Sequence, residues 1–215
     1  RCASRPRRTP TRPTRASRSN GRSVAELVLG QILVGARRLP QSWRETRNNR
    51  WGKSSAGRFE VKGKTLGILG LGHIGKQVAR LAEGFGMDVL FFDIDESAVA
   101  VGETFEWTSV RSAEELFERS DFVTVHVSAT DLTGESNTGL IARDWLMALG
   151  RQRPDDSPRI LINAGRGNLL EPDDLRAAVK ADRVRQAFID VHPDEPQSGV
   201  LDWENPYADL LDVHC

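Results

Sequence analysis

The chain has 215 residues, which is enough for one domain with a sizeable core and marginal for two. Lys plus Arg and Asp plus Glu both number 30, so the net charge is near zero and gives no global footprint for nucleic acid. The cysteines, Cys2 and Cys215, lie at opposite ends, which excludes a disulfide framework and a cysteine-based metal cluster and fits a reducing cytoplasm.

Residues 1–18 differ from the rest because they are built from Arg, Pro, Thr and Ser, with almost nothing to bury. We therefore expect a disordered basic leader over residues 1–18, followed by one domain over residues 19–215. A basic tail can touch nucleic acid or a membrane, but a solvated or artificial leader is the simpler interpretation. The segment lacks the apolar core of a secretory signal, and its prolines disfavour the amphipathic helix of a mitochondrial presequence. No apolar run in the sequence is long enough to span a membrane.

Ser23 begins a capping-box pattern that predicts a helix from there to about Arg38, ended by Pro40. Apolar residues cover most of the circumference of this helix: Val24, Leu27, Val28, Ile32, Leu33 and Val34. A helix this apolar is expected to be buried against another domain or subunit, which predicts a homodimer or higher homo-oligomer. Residues 41–59 are polar and predict a loop or a short helix.

The next segment predicts a strand, a glycine turn and a helix. Thr65–Leu69 is a short apolar run typical of a buried parallel strand. Gly70, Gly72 and Gly75 then supply the pattern G-x-G-x-x-G. The first glycine permits the tight turn, the second lets a pyrophosphate approach the backbone, and the third lets the helix pack closely on the strand. With a strand before it and a helix after it, the pattern predicts a dinucleotide site rather than a merely structural turn.

Asp93 follows the second predicted strand, residues 87–92, and indicates which cofactor is used. Its carboxylate can accept hydrogen bonds from the adenosine ribose hydroxyls and would repel a 2′-phosphate. Asp95 and Glu96 add negative charge, and no Arg or Lys lies between residues 90 and 97. NAD is therefore favoured over NADP, whereas the alternative is that Asp93 only ends the strand in a turn.

The remainder of the chain alternates between predicted strands and helices, apart from an irregular stretch to about residue 110. The predicted elements are a helix at 112–119, a strand at 121–127, a surface loop at 128–137, a helix at 140–149, a strand at 159–164, a helix at 173–181, a strand at 184–191 and the start of a further strand at 209–215. This alternation predicts an α/β fold, a Rossmann-type doubly wound parallel sheet.

Polar side chains follow the last predicted strands. Arg166 stands between Gly165 and Gly167, and its planar guanidinium suits a carboxylate and can polarise a carbonyl oxygen. On local sequence alone, a surface arginine in a flexible turn is the alternative. Asp190 ends a buried strand, where a carboxylate needs a donor because its desolvation is costly. Glu195, taken alone, is a solvated loop acid.

Four separated motifs occur in order: NGRSVAELVLG (20–30), SSAGRFEVKGKTLGILGLGHIG (54–75), LINAGRG (161–167) and AFIDVHPDEP (187–196). They resemble the NAD-binding domain of the D-isomer-specific 2-hydroxyacid dehydrogenases, and most closely the branch that oxidises D-3-phosphoglycerate. The resemblance implies NAD-dependent oxidation of D-3-phosphoglycerate to 3-phosphohydroxypyruvate in cytoplasmic serine biosynthesis. Two alternatives stay open: a related dehydrogenase acting on glycerate, glyoxylate or lactate, and a non-catalytic NAD-binding module.

The resemblance also implies how the adenosine and pyrophosphate halves of the cofactor are held. His73 and Ile74 would contact the pyrophosphate through their backbone in the glycine turn. Asp93 would hold the ribose, and His126 and Val127 would pass near the adenine. From the residues alone, His126 on an apolar strand is expected to be a satisfied core or backbone-contact histidine.

The family's pattern further implies the catalytic side of the site. Ala164, Gly165 and Arg166 would line the nicotinamide region, and Arg166 would also bind the carboxylate and carbonyl of the substrate. Asp190 would accept a hydrogen bond from the nicotinamide carboxamide. Glu195 matches the acid that pairs with a catalytic histidine and would keep that imidazole protonated when substrate is reduced.

The chain departs from the family near its end. The catalytic histidine of the family sits in a Pro-His-Ile-Gly-Gly-type segment, and no such segment occurs before Cys215. His214 lacks the following glycines and is not assigned that role, and His192 is interpreted as a packing variant. We therefore expect an NAD-binding domain truncated at its C-terminal end, with the substrate domain largely missing, that binds NAD and turns over poorly. No metal site is predicted.

Overall fold

The computed structural model describes residues 15–52, 54–193, 204–210 and 212–214. The strands are β1 Thr65–Leu69, β2 Asp88–Phe92, β3 Thr108–Ser109, β4 Phe122–Val125, β5 Ile160–Asn163, β6 Gln186–Ile189 and β7 Val213–His214. All pair in parallel, in the order β3-β2-β1-β4-β5-β6-β7. The order runs outward from β1 to one edge and then from β4 to the other, which is the doubly wound arrangement. The predicted fold class is therefore confirmed.

Helices cover both faces of this sheet. They are α1 Arg15–Ala36, α2 Leu39–Arg47, α3 His73–Gly84, α4 Glu96–Thr104, α5 Ala113–Arg119, α6 Arg143–Ala148 and α7 Pro172–Lys180, with a short 3-10 turn at Gly167–Leu169. One apolar core joins α1 and α3 to one face of the sheet, and a second joins α5, α6 and α7 to the other. Because β1, β4, β5 and β6 are buried along their whole length, they are mainly apolar rather than alternating. Each also contains one buried polar residue: Thr65, Thr124, Asn163 and Gln186.

The stretch after Asp93 is not irregular, so that prediction is wrong. It forms α4 and β3, and Asp95 caps α4 by accepting from the Ser97 N–H at 2.9 Å. The sequence of α4 contains two valines, a glycine and a threonine, all weak helix formers, which hid it from a pattern search. Packing instead explains the glycine in this helix, because a methyl group at Gly102 would overlap the ring of Phe91.

The first helix begins at Arg15, well before the predicted start at Ser23. Ser23 is an exposed interior residue of α1, so its capping-box spacing does not mark the helix end there. Residues 1–14 of the predicted leader lie outside the described residues. At its other end α1 stops at Ala36, and Pro40 stands in the first turn of α2, where its missing N–H costs nothing.

Part of the apolar surface of α1 packs on its own chain. Ala25, Val28, Leu29 and Ile32 are buried in the core that α1 shares with α3 and the sheet. Burial within the chain accounts for this part of the apolar surface, whereas Leu27 is 40% exposed. A homo-oligomer stays a prediction. None of the described helices is long and apolar enough to cross a membrane.

Candidate functional site

The glycine turn between β1 and α3 is shaped by close approaches on one side and open space on the other. Gly70 has φ 93°, and a methyl group there would lie 3.0 Å from the carbonyl carbon of His126. A methyl group at Gly75 would overlap the carbonyl oxygen of Gly70, so only glycine lets α3 rest this close to β1. A methyl group at Gly72 would meet nothing within 4 Å. The turn is thus closed toward the sheet and open toward solvent at Gly72.

The start of α3 presents backbone donors at this open side. Gly72 is the N-cap and provides no side-chain acceptor for the first-turn N–H groups. The Lys76 N–H donates to the Gly72 carbonyl, and the N–H groups before it precede the regular helical ladder. These donors and the helix dipole favour an anion, so the turn fits a pyrophosphate. The ring of His73 lies away from this opening, with Nε2 3.2 Å from the Gln77 side-chain nitrogen.

A cleft of about 350 Å³ runs from the turn to the loops that follow β2 and β4. Of the predicted site residues it is lined by Gly70, Gly72, Asp93, His126 and Val127. The Asp93 carboxylate, which forms an acidic part of the wall, accepts hydrogen bonds from backbone N–H groups of two adjoining segments. The Leu71 N–H donates to Asp93 Oδ2 at 2.6 Å, and the Asp95 N–H donates to Asp93 Oδ1 at 2.9 Å. Each carboxylate oxygen keeps a lone pair for a further donor such as a ribose hydroxyl.

Negative charge is concentrated beside Asp93. The Ser97 hydroxyl, followed by the Ser97 backbone N–H, holds the pKa of Asp95 below its usual range. Asp95 is therefore ionised at neutral pH. Two carboxylates at this wall of the cleft disfavour a second phosphate on the ribose.

His126 lies where β4 ends, and its two ring nitrogens differ. Nε2 is 2.9 Å from the Thr124 hydroxyl, whereas Nδ1 is buried and has no hydrogen-bond partner within the described part of the chain. Burial lowers the pKa of His126 to about 4, so the ring is neutral at pH 7. The expectation of a satisfied core histidine thus holds for one nitrogen only. An unpartnered buried nitrogen in the wall of the cleft fits a ligand group placed there.

A second group of predicted residues lies at the ends of β5 and β6, outside the lining of this cleft. Ala164 is buried, and Arg166 is exposed and turns back to donate from Nη1 to the Gly165 carbonyl at 2.7 Å. A methyl group at Gly167 would overlap the backbone of His192, so the turn after β5 packs directly on the chain after β6. A methyl group at Gly165 would lie 3.3 Å from the Val127 carbonyl oxygen, which places this turn beside the cleft.

Asp190 lies beside this turn, with its backbone N–H donating to the Asn163 carbonyl at 3.0 Å. Asp190 is exposed although the strand before it is buried, and its contact with the nicotinamide carboxamide stays a prediction. Glu195 lies outside the described residues. No group of three or more potential metal ligands occurs within the part of the chain that the structure describes.

The family described as D-isomer specific 2-hydroxyacid dehydrogenase, NAD binding domain, matches residues 29–209, which is most of the chain. The chain belongs to this family. Its cofactor is therefore NAD, as the sequence predicts, and the matched residues include the whole sheet except β7 together with the cleft.

Relatives of this NAD-binding domain are much longer proteins. The chain is 44% identical over 195 residues to D-3-phosphoglycerate dehydrogenase of Haemophilus influenzae, which is 91% of the chain and 44% of that protein. It is 40% identical over 178 residues to D-3-phosphoglycerate dehydrogenase 2 of Saccharomyces cerevisiae, which is 83% of the chain and 35% of that protein. The chain thus spans less than half the length of these relatives.

A solved structure extends this similarity to the fold. Phosphoglycerate oxidoreductase of Vibrio cholerae O395 aligns with a TM-score of 0.73 at 27% identity, covering 89% of this chain and 57% of that chain.

The cleft is also lined by residues that the sequence motifs do not indicate. Lys76 lines the cleft beside the turn, and two exposed apolar side chains, Ile94 and Leu132, line it at Asp93 and in the loop after β4. A large apolar residue in an otherwise polar loop was the available signal for Leu132. Asn163 belongs to the LINAGRG motif, which assigns it no role, and its carboxamide forms hydrogen bonds to the turn that carries Arg166.

Proposed function

We propose that this domain holds NAD across the carboxyl ends of its strands for the oxidation of D-3-phosphoglycerate to 3-phosphohydroxypyruvate, a step of serine biosynthesis. The observation that carries the cofactor half is the open side of Gly72, beside an uncapped helix start and across the cleft from Asp93. The substrate is supported by the names of the two relatives described above.

The adenosine and pyrophosphate portions of NAD are assigned to the cleft. The backbone N–H groups of His73 and Ile74 donate to the pyrophosphate, where the start of α3 favours negative charge. Asp93 accepts from the ribose hydroxyls with the lone pairs that Leu71 and Asp95 leave free. The apolar side chains at the cleft, together with the end of β4, face the adenine.

The reacting half is assigned to the turns after β5 and β6. NAD, when bound, accepts a hydride from C2 of the hydroxy acid. Arg166 binds the substrate carboxylate and steadies the oxygen that becomes the carbonyl, because a guanidinium offers two parallel donors. Ala164 and Gly165 line the nicotinamide, and Asp190 accepts from its carboxamide. Glu195 pairs with the histidine that moves the hydroxyl proton.

None of the four histidines of the chain is assigned to that proton transfer. His126 is neutral at pH 7 and bonded to Thr124, and His214 lies in β7 with its ring 5.0 Å from that of Phe188. His73 lies in the glycine turn, and the ring of His192 is 5.8 Å from that of Tyr207. We therefore expect NAD binding to be readily measured on the 215-residue chain and turnover to be low.

Calorimetry with NAD tests the cofactor half. Gly72→Ala places a methyl group on the open side of the turn, and we expect about tenfold or more weaker binding with an unchanged melting temperature. Gly84→Ala in the same helix, also with open space around it, is the matched control and should bind as wild type does. Absence of heat with the folded wild type, or equal binding by both variants, would overturn the assignment.

The substrate half has its own test. Residual NADH formation is compared for D-3-phosphoglycerate, D-glycerate and D-lactate at matched concentrations. We expect the phosphorylated acid to give the highest rate. A higher rate with either of the other acids would reject the proposed substrate and leave the NAD assignment standing.

A further inference from the structure

We propose that Asn163 is the positioning residue for the nicotinamide side of the site, and that its carboxamide fixes the turn that carries Arg166. The proposal rests on the function proposed above, since it concerns the same site. Asn163 is the last residue of β5 and is 1% exposed. It has no assigned contact with cofactor or substrate, so it acts through the backbone that follows it.

Both polar atoms of the Asn163 carboxamide form hydrogen bonds to the turn. Oδ1 accepts from the Gly165 N–H at 3.2 Å, and Nδ2 donates to the Arg166 carbonyl at 3.0 Å. The side chain therefore joins the peptide group before Gly165 to the peptide group after Arg166. The backbone carbonyl of the same residue accepts from the Asp190 N–H, so Asn163 also sets the distance between the turn and the end of β6.

The turn needs such a clamp because it is rich in glycine. Gly165 and Gly167 provide little intrinsic restraint on the backbone, and their neighbours press on them from two directions. Gly165 faces the carbonyl oxygens of Val125 and Val127, and Gly167 faces the backbone of His192. These contacts limit how far the turn can move but do not set the direction of its peptide groups. Directional hydrogen bonds from a buried, rigid side chain do so.

Asn163→Asp separates positioning from stability. The substitution keeps the size of the side chain and the acceptor for Gly165. When the new side chain is ionised, however, a carboxylate oxygen replaces the Nδ2 donor and repels the Arg166 carbonyl oxygen. This repulsion displaces the part of the turn that carries Arg166. We expect NAD affinity to fall about tenfold, while the affinity for ADP-ribose, which lacks the nicotinamide, changes by less than about twofold. Loss of general stability would weaken both ligands alike.

Two further measurements sharpen this test. Lowering the pH protonates the introduced carboxyl, which can then donate to the Arg166 carbonyl, so the ratio of variant to wild-type NAD affinity should recover. Asn168→Asp is the matched control: its Nδ2 donates to the Thr138 hydroxyl at 2.9 Å, and both affinities should remain unchanged. If Asn163→Asp does not fold, Asn163→Ser is judged by the same NAD to ADP-ribose ratio.

The outcomes distinguish the two proposals. A folded wild type that binds neither ligand would overturn the proposed function. A wild type that binds NAD and ADP-ribose, beside a folded Asn163 variant that keeps their affinity ratio, would overturn only the positioning role. The same holds if wild type binds the two ligands equally, since the turn would then make no net contact with the nicotinamide.

Discussion

The two ends of one parallel sheet treat their polar groups in opposite ways. Just before β4, at the amino end, Asp121 is 1% exposed and accepts from the Thr65 N–H, the Arg153 guanidinium and the Ser157 hydroxyl at 2.7–2.8 Å. At the carboxyl end, the Gly72 side of the turn is open and His126 Nδ1 is buried without a described partner. Where the chain satisfies its own polar groups it gains stability, and where it leaves them open it can bind a ligand.

The amino end contains further buried polar groups with partners in the chain, although Nε of Arg153 and Nε of Arg159 are buried without a hydrogen-bond partner among the described residues. Arg159 is 8% exposed and adopts a left-handed conformation, φ 50°, from which it donates to the carbonyls of Asp182 and Asp155. The loop before it is tied to α5, because Arg151 and Gln152 both donate to the Glu118 carboxylate. Most of the buried charge at this end is therefore compensated within the chain.

The largest expected effect comes from a substitution at the amino end of the sheet, where the chain satisfies Asp121. Asp121→Asn keeps the shape of the side chain but replaces one of its two acceptor oxygens by an amide donor, and it removes the charge that pairs with the Arg153 guanidinium. We expect a loss of about 3 kcal/mol in the free energy of unfolding, as for a broken buried ion pair. NAD affinity of the folded variant should stay within about twofold, since this end lies away from the cleft. Urea unfolding and calorimetry measure the two quantities.

Gly75→Ala should damage both stability and binding, because Gly75 joins the turn to the sheet. The added methyl group overlaps the Gly70 carbonyl oxygen, so α3 must shift at a cost of about 2 kcal/mol, typical of an overpacked contact. The same shift misaligns the first-turn donors and weakens NAD binding. Gly84→Ala, with open space around it, should be neutral or slightly stabilising. Wild-type stability and affinity in Gly75→Ala would contradict the close packing.

The buried ring of His126 should make stability depend on pH. Its folded pKa of about 4 lies below the ordinary 6.5, so between these values the unfolded chain binds more protons than the folded one. The stabilisation is complete above pH 6.5 and is lost as the pH falls toward 4. Between pH 7 and pH 5 we expect a loss of about 1.5 kcal/mol. In His126→Gln that part of the pH dependence should vanish, and an unchanged slope would contradict it.

The β1–α3–β2 unit was predictable because each of its signals is local. Thr65–Leu69 is a strand with the predicted bounds, and three glycines at fixed spacing specify a turn whose shape follows from the absence of side chains. α4 is not predicted because Gly102 is favoured there by its contacts with Phe91 and Leu71, which the local pattern does not reveal. Pattern also failed to say what α1 packs against, since an apolar face indicates burial but not the partner.

The candidate site likewise has a part that the local sequence predicts and a part that it does not. The glycine turn and Asp93 lie within one continuous segment, so their proximity follows from the strand–helix–strand unit. The bond from Leu71 to Asp93 and the two bonds of Asn163 depend on the detailed path of the backbone, which a motif does not contain. The exposure of Asp190 likewise follows from how the chain leaves the sheet after β6, not from the apolar strand before it.

The smallest expected effect is measured by making the same substitution at each end of β2. Asp88 is the exposed first residue of β2, and Asp93 directly follows its last residue at the cleft. Asp93→Asn removes the charge that repels a 2′-phosphate, while its Oδ1 can still accept a backbone N–H. We expect the ratio of NAD to NADP affinity to fall about tenfold, or about 1.4 kcal/mol, from a small loss for NAD and a gain for NADP.

Asp88→Asn makes an identical change of charge at the amino end of β2, the end opposite Asp93. It should leave the NAD to NADP ratio unaltered, since no ligand is assigned there and a surface substitution away from special features alters stability by less than about 0.5 kcal/mol. Parallel titrations of the two variants with both nucleotides therefore separate a local effect at the cleft from a general effect of net charge. If the two variants shift the ratio equally, cofactor choice depends on the field of the whole domain, and the contrast between the two ends of the sheet does not extend to specificity.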